Sequence, residues 1–221
     1  MEQKKLSHEI LPFWDKLSDS EERILIDGSM RKSFEKGMML SYSDERCKGV
    51  MILLFGQIRA YIISDEGREI TLYRLHKGDV CVLSASCLMD SIAFDVLIEA
   101  IEKTEVILIP SQVLHKVMEK NPYVELYLQK QANKRFSDVM WTMQQILFMG
   151  ADKRVAIFLW DEMIKTNQTT LFYTHDEIAR YIGSAREVVT RVLKYFAKES
   201  IVKLSRCKIE IISKEKLKSY L

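Results

Sequence analysis

Between Asn121-Pro122 and Gly150 the chain has no glycine and no further proline. No other stretch limits the fold as strongly. Proline suits the first position of a helix, where its missing N–H would go unpaired anyway. Apolar or small residues then recur at Val124, Leu128, Ala132, Phe136, Val139, Met143 and Ile146, spaced 4, 4, 4, 3, 4, 3. That is close to a coiled-coil seam. A helix over this span holds about 27 residues and is ~40 Å long, more than an ordinary small domain buries. We expect a dimerisation helix within residues 119–149. Its seam, Leu128, Ala132, Phe136, Val139, Met143 and Ile146, would meet its twin in a two-fold homodimer. The alternative is a helix lying along its own barrel.

Ahead of this helix, five of the eight glycines stand at 37, 49, 56, 67 and 78. Short β-rich runs lie between and after them, at 38–42, 50–55, 57–64, 68–76, 94–101 and 105–109. Short strands with regular turn signals indicate an antiparallel barrel or sandwich. Asp65-Glu66-Gly67 reads as a hairpin turn. Residues 12–30 read as a helix opened by Ser18 with Glu21 three positions later, a capping box. We assign residues 1–118 to this β-rich domain.

Behind the helix the charge changes sign. The whole chain carries +2, from 33 Lys+Arg and 31 Asp+Glu; residues 1–149 hold 19 against 22, and residues 150–221 hold 14 against 9. A basic tail behind an acidic front is a cue for a polyanion partner. In it, residues 153–165 read as a helix. Then comes YTHDEIARYIGSAREVVTRVLKYF, residues 173–196. Thr174 with Glu177 and Ser184 with Glu187 read as two capping boxes, with Gly183 as the turn between two short helices. Ile178, Ala179 and Ile182 form the buried side of the first helix, and Val188, Val189, Val192, Leu193 and Phe196 that of the second. This is the sequence form of a helix-turn-helix.

The second helix leaves Arg186, Glu187, Thr190 and Arg191 outside its apolar side. Arg reads guanine O6 and N7 bidentately, and Glu accepts from cytosine N4. Ser184, Thr190 and Lys194 suit phosphates, which position a protein without reading sequence. Residues 201–212 read as two short strands whose Lys203, Arg206 and Lys208 suit a wing against the DNA backbone. We assign residues 150–221 to this DNA-binding domain.

The order of parts resembles the bacterial CRP/FNR family of transcription regulators over essentially the whole chain. The resemblance rests on Phe34-x-x-Gly37, residues 50–59 and 67–75, Gly78-Asp79, Asn121-Pro122 and above all Ser184-Ala185-Arg186-Glu187-x-x-Thr190-Arg191. It implies an α+β chain: an N-terminal antiparallel β-roll of the cyclic-nucleotide-binding jelly-roll type, a long dimerisation helix and a C-terminal winged helix-turn-helix. It further implies a cytoplasmic homodimer in which Arg186, Glu187 and Arg191 read a TGTGA-like or related half-site, repeated as a palindrome. The implied partners are double-stranded DNA, a second copy of the chain and an unidentified small-molecule effector, with RNA polymerase a candidate. The effector would act through the long helix and a hinge at Gly150.

The chain departs from the family in its sensor. Cyclic-AMP-responsive members carry a Gly-Glu pair after the Gly-Asp turn and an Arg-Ser pair further on. Here Gly78-Asp79 leads into Val80-Cys81-Val82-Leu83, the later position reads Phe94-Asp95-Val96, and no Arg lies between Arg74 and Arg135. A buried phosphate without a cation is electrostatically costly, so cyclic AMP is not the expected effector and no cofactor is expected. An iron–sulfur sensor needs an N-terminal cysteine cluster, whereas the first cysteine is Cys47. His76 is the nearest haem ligand candidate and reads as an ordinary histidine. Cys81 and Cys87 read as core thiols, with a redox switch as the alternative. An apolar effector pocket would draw on Leu83, Ser84, Val139, Met140 and Met143. Family members commonly have glycine at the turn after the second helix, where this chain has Ser200, so a local change is expected there.

Other classes find little support. The four histidines, His8, His76, His115 and His175, are scattered, so no metal site and no cupin-like enzyme is expected. No phosphate loop, nucleophile elbow or acid–base pair is visible. The longest apolar run, residues 50–55, falls far short of a membrane helix, and residues 1–9 show no signal-peptide core. The same fold acting as an interaction protein without DNA readout is the remaining alternative.

Overall fold

The computed structural model describes residues 10–41, 49–82 and 96–221. They form two compact units, Met1–Tyr61 with Leu72–Val139, and Ile62–Thr71 with Met140–Leu221.

In the first unit, a 3-10 turn at Trp14–Lys16 precedes α1, Asp19–Gly28. The expected capping box forms: the Ser18 N–H donates to Glu21 Oε2 at 2.7 Å, and the Glu21 N–H to Ser18 Oγ at 3.4 Å. The helix is shorter than the sequence suggests. It begins only after Ser18, and Met30 already belongs to a strand. Eight strands follow: β1 Met30–Phe34, β2 Met39–Ser41, β3 Val50–Phe55, β4 Ile58–Ile63, β5 Glu69–Leu75, β6 Val80–Cys81, β7 Leu97–Ala100 and β8 Thr104–Ile109. They make two four-stranded sheets, ordered β1-β8-β3-β6 and β2-β7-β4-β5. Each sheet thus pairs strands far apart in sequence, as a roll requires.

The strand β1 escapes a sequence reading because its partner, β8, lies about seventy residues downstream: Met30 pairs with Leu108 and Phe34 with Thr104. Apolar side chains of β3, β6 and β8, with Leu25, Leu114 and Val124, build one core. Gly67, φ +78°, turns the β4–β5 hairpin as expected. After α2, Ser111–Met118, the long helix α3 runs Pro122–Phe148, 27 residues. Asn121 anchors its start. Its Nδ2 donates to the Lys16 carbonyl at 2.8 Å, and its Oδ1 accepts from the Tyr123 N–H at 3.1 Å.

The seam on α3 needs correction. Val124 is buried, and Leu128 and Ala132 pack half-buried against the first unit's own core. Val139 and Ile146 are also half-buried. The open apolar stripe is Phe136 (65% exposed), Met140 (45%), Met143 (45%) and Leu147 (65%), at spacings 4, 3, 4. Helical period alone does not say which of two apolar faces its own domain will take. Met140 and Met143, also expected to line an effector pocket, stand on this exposed stripe of the single chain. Leu83 and Ser84, also assigned to that pocket, lie outside the described residues, as do Cys47, Cys87 and His8.

The second unit contains α4 Ala151–Thr166, β9 Thr170–Leu171, α5 His175–Ile182, α6 Arg186–Lys198, β10 Val202–Ser205, β11 Lys208–Ile211 and α7 Lys214–Lys218. Its small sheet is ordered β10-β11-β9. Val155, Leu159, Ile178, Val189, Leu193, Phe196, Ile209 and Leu217 share one core. The tip of the β4–β5 hairpin belongs to this unit: the Thr71 hydroxyl donates to the Arg180 carbonyl at 3.1 Å. Neither Cys207, which is exposed, nor Cys81, which is buried, is in a disulfide. Among the described residues, no helix is long and apolar enough to cross a membrane, and no group of three or more His, Cys, Asp or Glu is placed to hold a metal ion.

Candidate nucleic-acid interface

The helix α5 starts where the sequence says it should. Thr174 caps it, with its N–H donating to Glu177 Oε2 at 2.7 Å and its Oγ1 accepting from the Glu177 N–H at 3.1 Å. Gly183 ends it in the left-handed region, φ +62°. A Cβ there would stand 3.2 Å from Ile146 Cδ1 and 3.5 Å from Ile70 Cγ1. The turn is also held from α4, where Arg154 Nη1 donates to the Ile182 carbonyl at 2.7 Å and the Gly183 carbonyl at 3.3 Å.

The second expected capping box does not form. Ala185 is the N-cap of α6 and has no side-chain oxygen to offer. The Ser184 N–H instead closes α5 by donating to the Ala179 carbonyl at 2.9 Å. The chain uses Gly183 and Ser184 to turn the corner, so the extended residue that must precede a helix falls one position later.

This shift matters for the recognition face. Glu187 has no Ser184 to cap and stands exposed. Arg186, Arg191 and Lys194 are exposed as well. Among the described residues none of these four side chains makes an intramolecular hydrogen bond or ion pair. Val189, Leu193 and Phe196 anchor the opposite side of α6 in the core. The helix therefore presents uncommitted charges at its N-terminal end from a rigid base. Ser184 and Thr190 are half-buried. Thr190 Oγ1 lies 2.9 Å from His175 Nδ1.

The wing forms as expected, with Val202 paired to Ile211 and Ser205 to Lys208. Its turn is Arg206-Cys207, with Cys207 at φ +52°. Lys203 and Arg206 are exposed, and Lys208 is half-buried, with its Nζ 3.8 Å from Glu210 Oε2. A cleft of about 400 Å³ opens between the start of α5, Arg186 and this turn. Tyr173, His175, Asp176, Arg186, Ser205 and Cys207 are among its lining residues.

The sequence reading missed His175. Its signal was present: a histidine directly after an N-cap threonine, fifteen residues before Thr190. Nothing local says that those two residues meet.

Comparison with known proteins agrees with the architecture. Residues 31–121 match the cyclic nucleotide-binding domain family and residues 153–220 the Crp-like helix-turn-helix domain family. A solved structure described as a regulator of the CRP/FNR family, from Eubacterium rectale, is 42% identical to this chain. It superposes with a TM-score of 0.90, over 96% of this chain and 98% of that one. The transcriptional activator protein Anr of Pseudomonas aeruginosa is 26% identical over 82% of this chain and 76% of its own. The cyclic AMP receptor protein of Thermus thermophilus is 23% identical over 90% of this chain and 92% of its own. A β-roll, a long helix and a winged helix-turn-helix in this order, shared over nearly the full length with a relative this similar, place the chain in the CRP/FNR family of DNA-binding transcription regulators and not among enzymes.

Proposed function

We propose that this regulator works in the cytoplasm as a homodimer on a palindromic operator, with α6 of each protomer in a major groove. The observation that carries this reading is the uncommitted set Arg186, Glu187 and Arg191 on the exposed face of α6. Arg186 and Arg191 read guanine, and Glu187 accepts from cytosine N4. Ser184, Thr190 and Lys194, with Lys203, Arg206 and Lys208 on the wing, take the backbone. The stripe Phe136, Met140, Met143 and Leu147 supports α3 as the dimer seam. Its 4, 3, 4 spacing is that of a two-helix contact. Two-fold symmetry then sets half-sites about 34–36 Å apart. RNA polymerase is the partner such a dimer would recruit if it activates.

The β-roll takes an effector other than a cyclic nucleotide in this reading. Among the described residues, the two fully buried arginines of the first unit, Arg59 and Arg135, are each paired with carboxylates. Arg59 Nη2 pairs with Glu99 at 2.7 Å. Arg135 pairs with Asp79 at 3.0 Å and with Asp138 at 2.9 Å. A nucleotide phosphate that used Arg59 or Arg135 would have to displace one of these carboxylates, and a small, largely apolar molecule would not.

The test is binding-site selection from a random duplex pool, repeated with Arg186→Ala. Enrichment of a palindrome by the parent protein, with base discrimination lost by about 1–3 kcal/mol per half-site in the variant, is the expected result. Retained sequence preference in Arg186→Ala would remove α6 as the reader. Calorimetry with cyclic AMP and cyclic GMP checks the effector reading, and saturable binding of either would overturn it.

A further inference from the structure

His175 sits where three DNA-facing elements converge, and the recognition set does not account for it. It is the first residue of α5, immediately after the N-cap Thr174. Its Nδ1 is 2.9 Å from Thr190 Oγ1 on α6. It lines the cleft of about 400 Å³ together with Arg186, Ser205 and the Cys207 turn of the wing. With Nδ1 committed to Thr190, Nε2 is the ring nitrogen left for a ligand. That bond survives protonation, because a protonated Nδ1 simply donates to the threonine oxygen. The ring is therefore held in one orientation in both charge states.

We propose that His175 is a proton-linked contact to the DNA backbone: it is neutral in the free protein and takes up a proton when a phosphate enters the cleft beside it.

The charges around the ring support both halves of this statement. Partial burial disfavours the imidazolium, and the Arg186 and Lys194 cations on α6 add to it, so the group lies below its ordinary value. The positive end of α5 acts in the same direction. From its own helix, Asp176 faces the cleft, but its Oδ2 lies 3.5 Å from Arg180 Nε. Glu177 is held by the Thr174 cap. Tyr173 and the Cys207 thiol complete the titratable lining. A phosphate placed here is a full negative charge amid Arg186, the Ser205 hydroxyl and the start of α5. It reverses the balance that keeps the ring neutral. Thr190 is thereby also assigned a positioning role, since it orients the ring that meets the phosphate.

This inference rests on the α6-in-groove reading. The sign of its consequence follows from linkage. A group whose value rises on binding makes the complex bind an extra proton, so affinity increases as pH falls through the bound-state value. The gain levels off below the free-state value. Each protomer contributes one His175. The gain is therefore at most about tenfold per pH unit for each copy, over the window below about pH 7 where histidine titrates.

The test measures affinity of the full-length protein for a labelled duplex recovered by selection, across about pH 5.5 to 8 at constant, low salt. The parent protein and His175→Gln are compared. Glutamine keeps a polar group beside Thr190 but cannot titrate. The parent is expected to gain roughly three- to tenfold per half-site on acidification beyond any gain shown by the glutamine variant. The subtraction removes contributions from Glu187 and Asp176, which both proteins share. Independently, the imidazole resonances absent from His175→Gln should titrate below the ordinary histidine range in the free protein, and move upward when duplex is added. Parallel pH profiles for the two proteins, or a His175 titration unmoved by DNA, would overturn the proposal while leaving the recognition helix in place. Failure of the parent to bind any duplex at any pH would overturn that wider reading and this one with it.

Discussion

Ser200 holds φ +56° at the turn between α6 and β10, the left-handed region that favours glycine. Its N–H still donates to the Ala197 carbonyl at 3.1 Å, so the turn keeps its geometry and the serine bears the strain. Left-handed backbone costs a residue with a Cβ about 1 kcal/mol. Ser200→Gly is expected to stabilise the second unit by roughly 0.5 kcal/mol once glycine's extra unfolded-state freedom is subtracted. Thermal unfolding of the two proteins checks this; a lower midpoint would show that the serine is not strained. At Asp79 the balance is electrostatic. Burial raises its carboxyl, but the His76 N–H, the Arg135 guanidinium and Lys134 together outweigh that and hold it below the usual value. A depressed carboxylate contributes stability that is present above about pH 4 and lost as pH falls through its folded value. Asp79→Asn should cost about 1 kcal/mol at neutral pH, since Arg135 loses one of its two carboxylate partners and keeps Asp138. The gap from the parent should close in acid. Urea unfolding at two pH values reads both effects.

At the scale of elements, α5 and α6 show which local signals decide a helix boundary. Thr174 and Glu177 cap α5 as read, because both partners lie within one turn and no distant residue competes. Ser184 and Glu187 have the same spacing and fail, because the chain first has to leave α5. That exit engages Ser184's own N–H with Ala179. The failed cap leaves Glu187 exposed on α6. The α3 helix was visible in full, yet its open face was not. Two apolar faces fit the same periodicity, and the domain's own core took Val124, Leu128 and Ala132. The exposed stripe gives a direct test. Phe136→Glu with Leu147→Glu should leave each protomer folded, because both residues are open to solvent, and should shift the protein to monomer in sedimentation equilibrium. A dimer that survives the pair would place the interface elsewhere.

Over the whole molecule, the charge distribution is the property most relevant to DNA. Residues 150–221 carry all the cations assigned to backbone contacts, while residues 1–149 are net acidic. Affinity should therefore fall steeply and log-linearly with salt. About six or more phosphate contacts would give a loss on the order of a thousandfold between about 50 and 200 mM. A shallow slope would mean that few of Lys194, Lys203, Arg206 and Lys208 meet phosphate.

The sequence by itself determined the order of parts and the helix-turn-helix. Caps, glycine turns and apolar periodicity act within a few residues, where chain connectivity already holds the partners together. Only the tertiary structure decided the β1–β8 pairing, the face of α3 left open, the place of the 62–71 hairpin tip beside Arg180, and the meeting of His175 with Thr190. Each of these is a choice among partners separated by many residues. Such choices are settled by which packing buries the most apolar surface and pairs the most polar groups, and no local pattern records them.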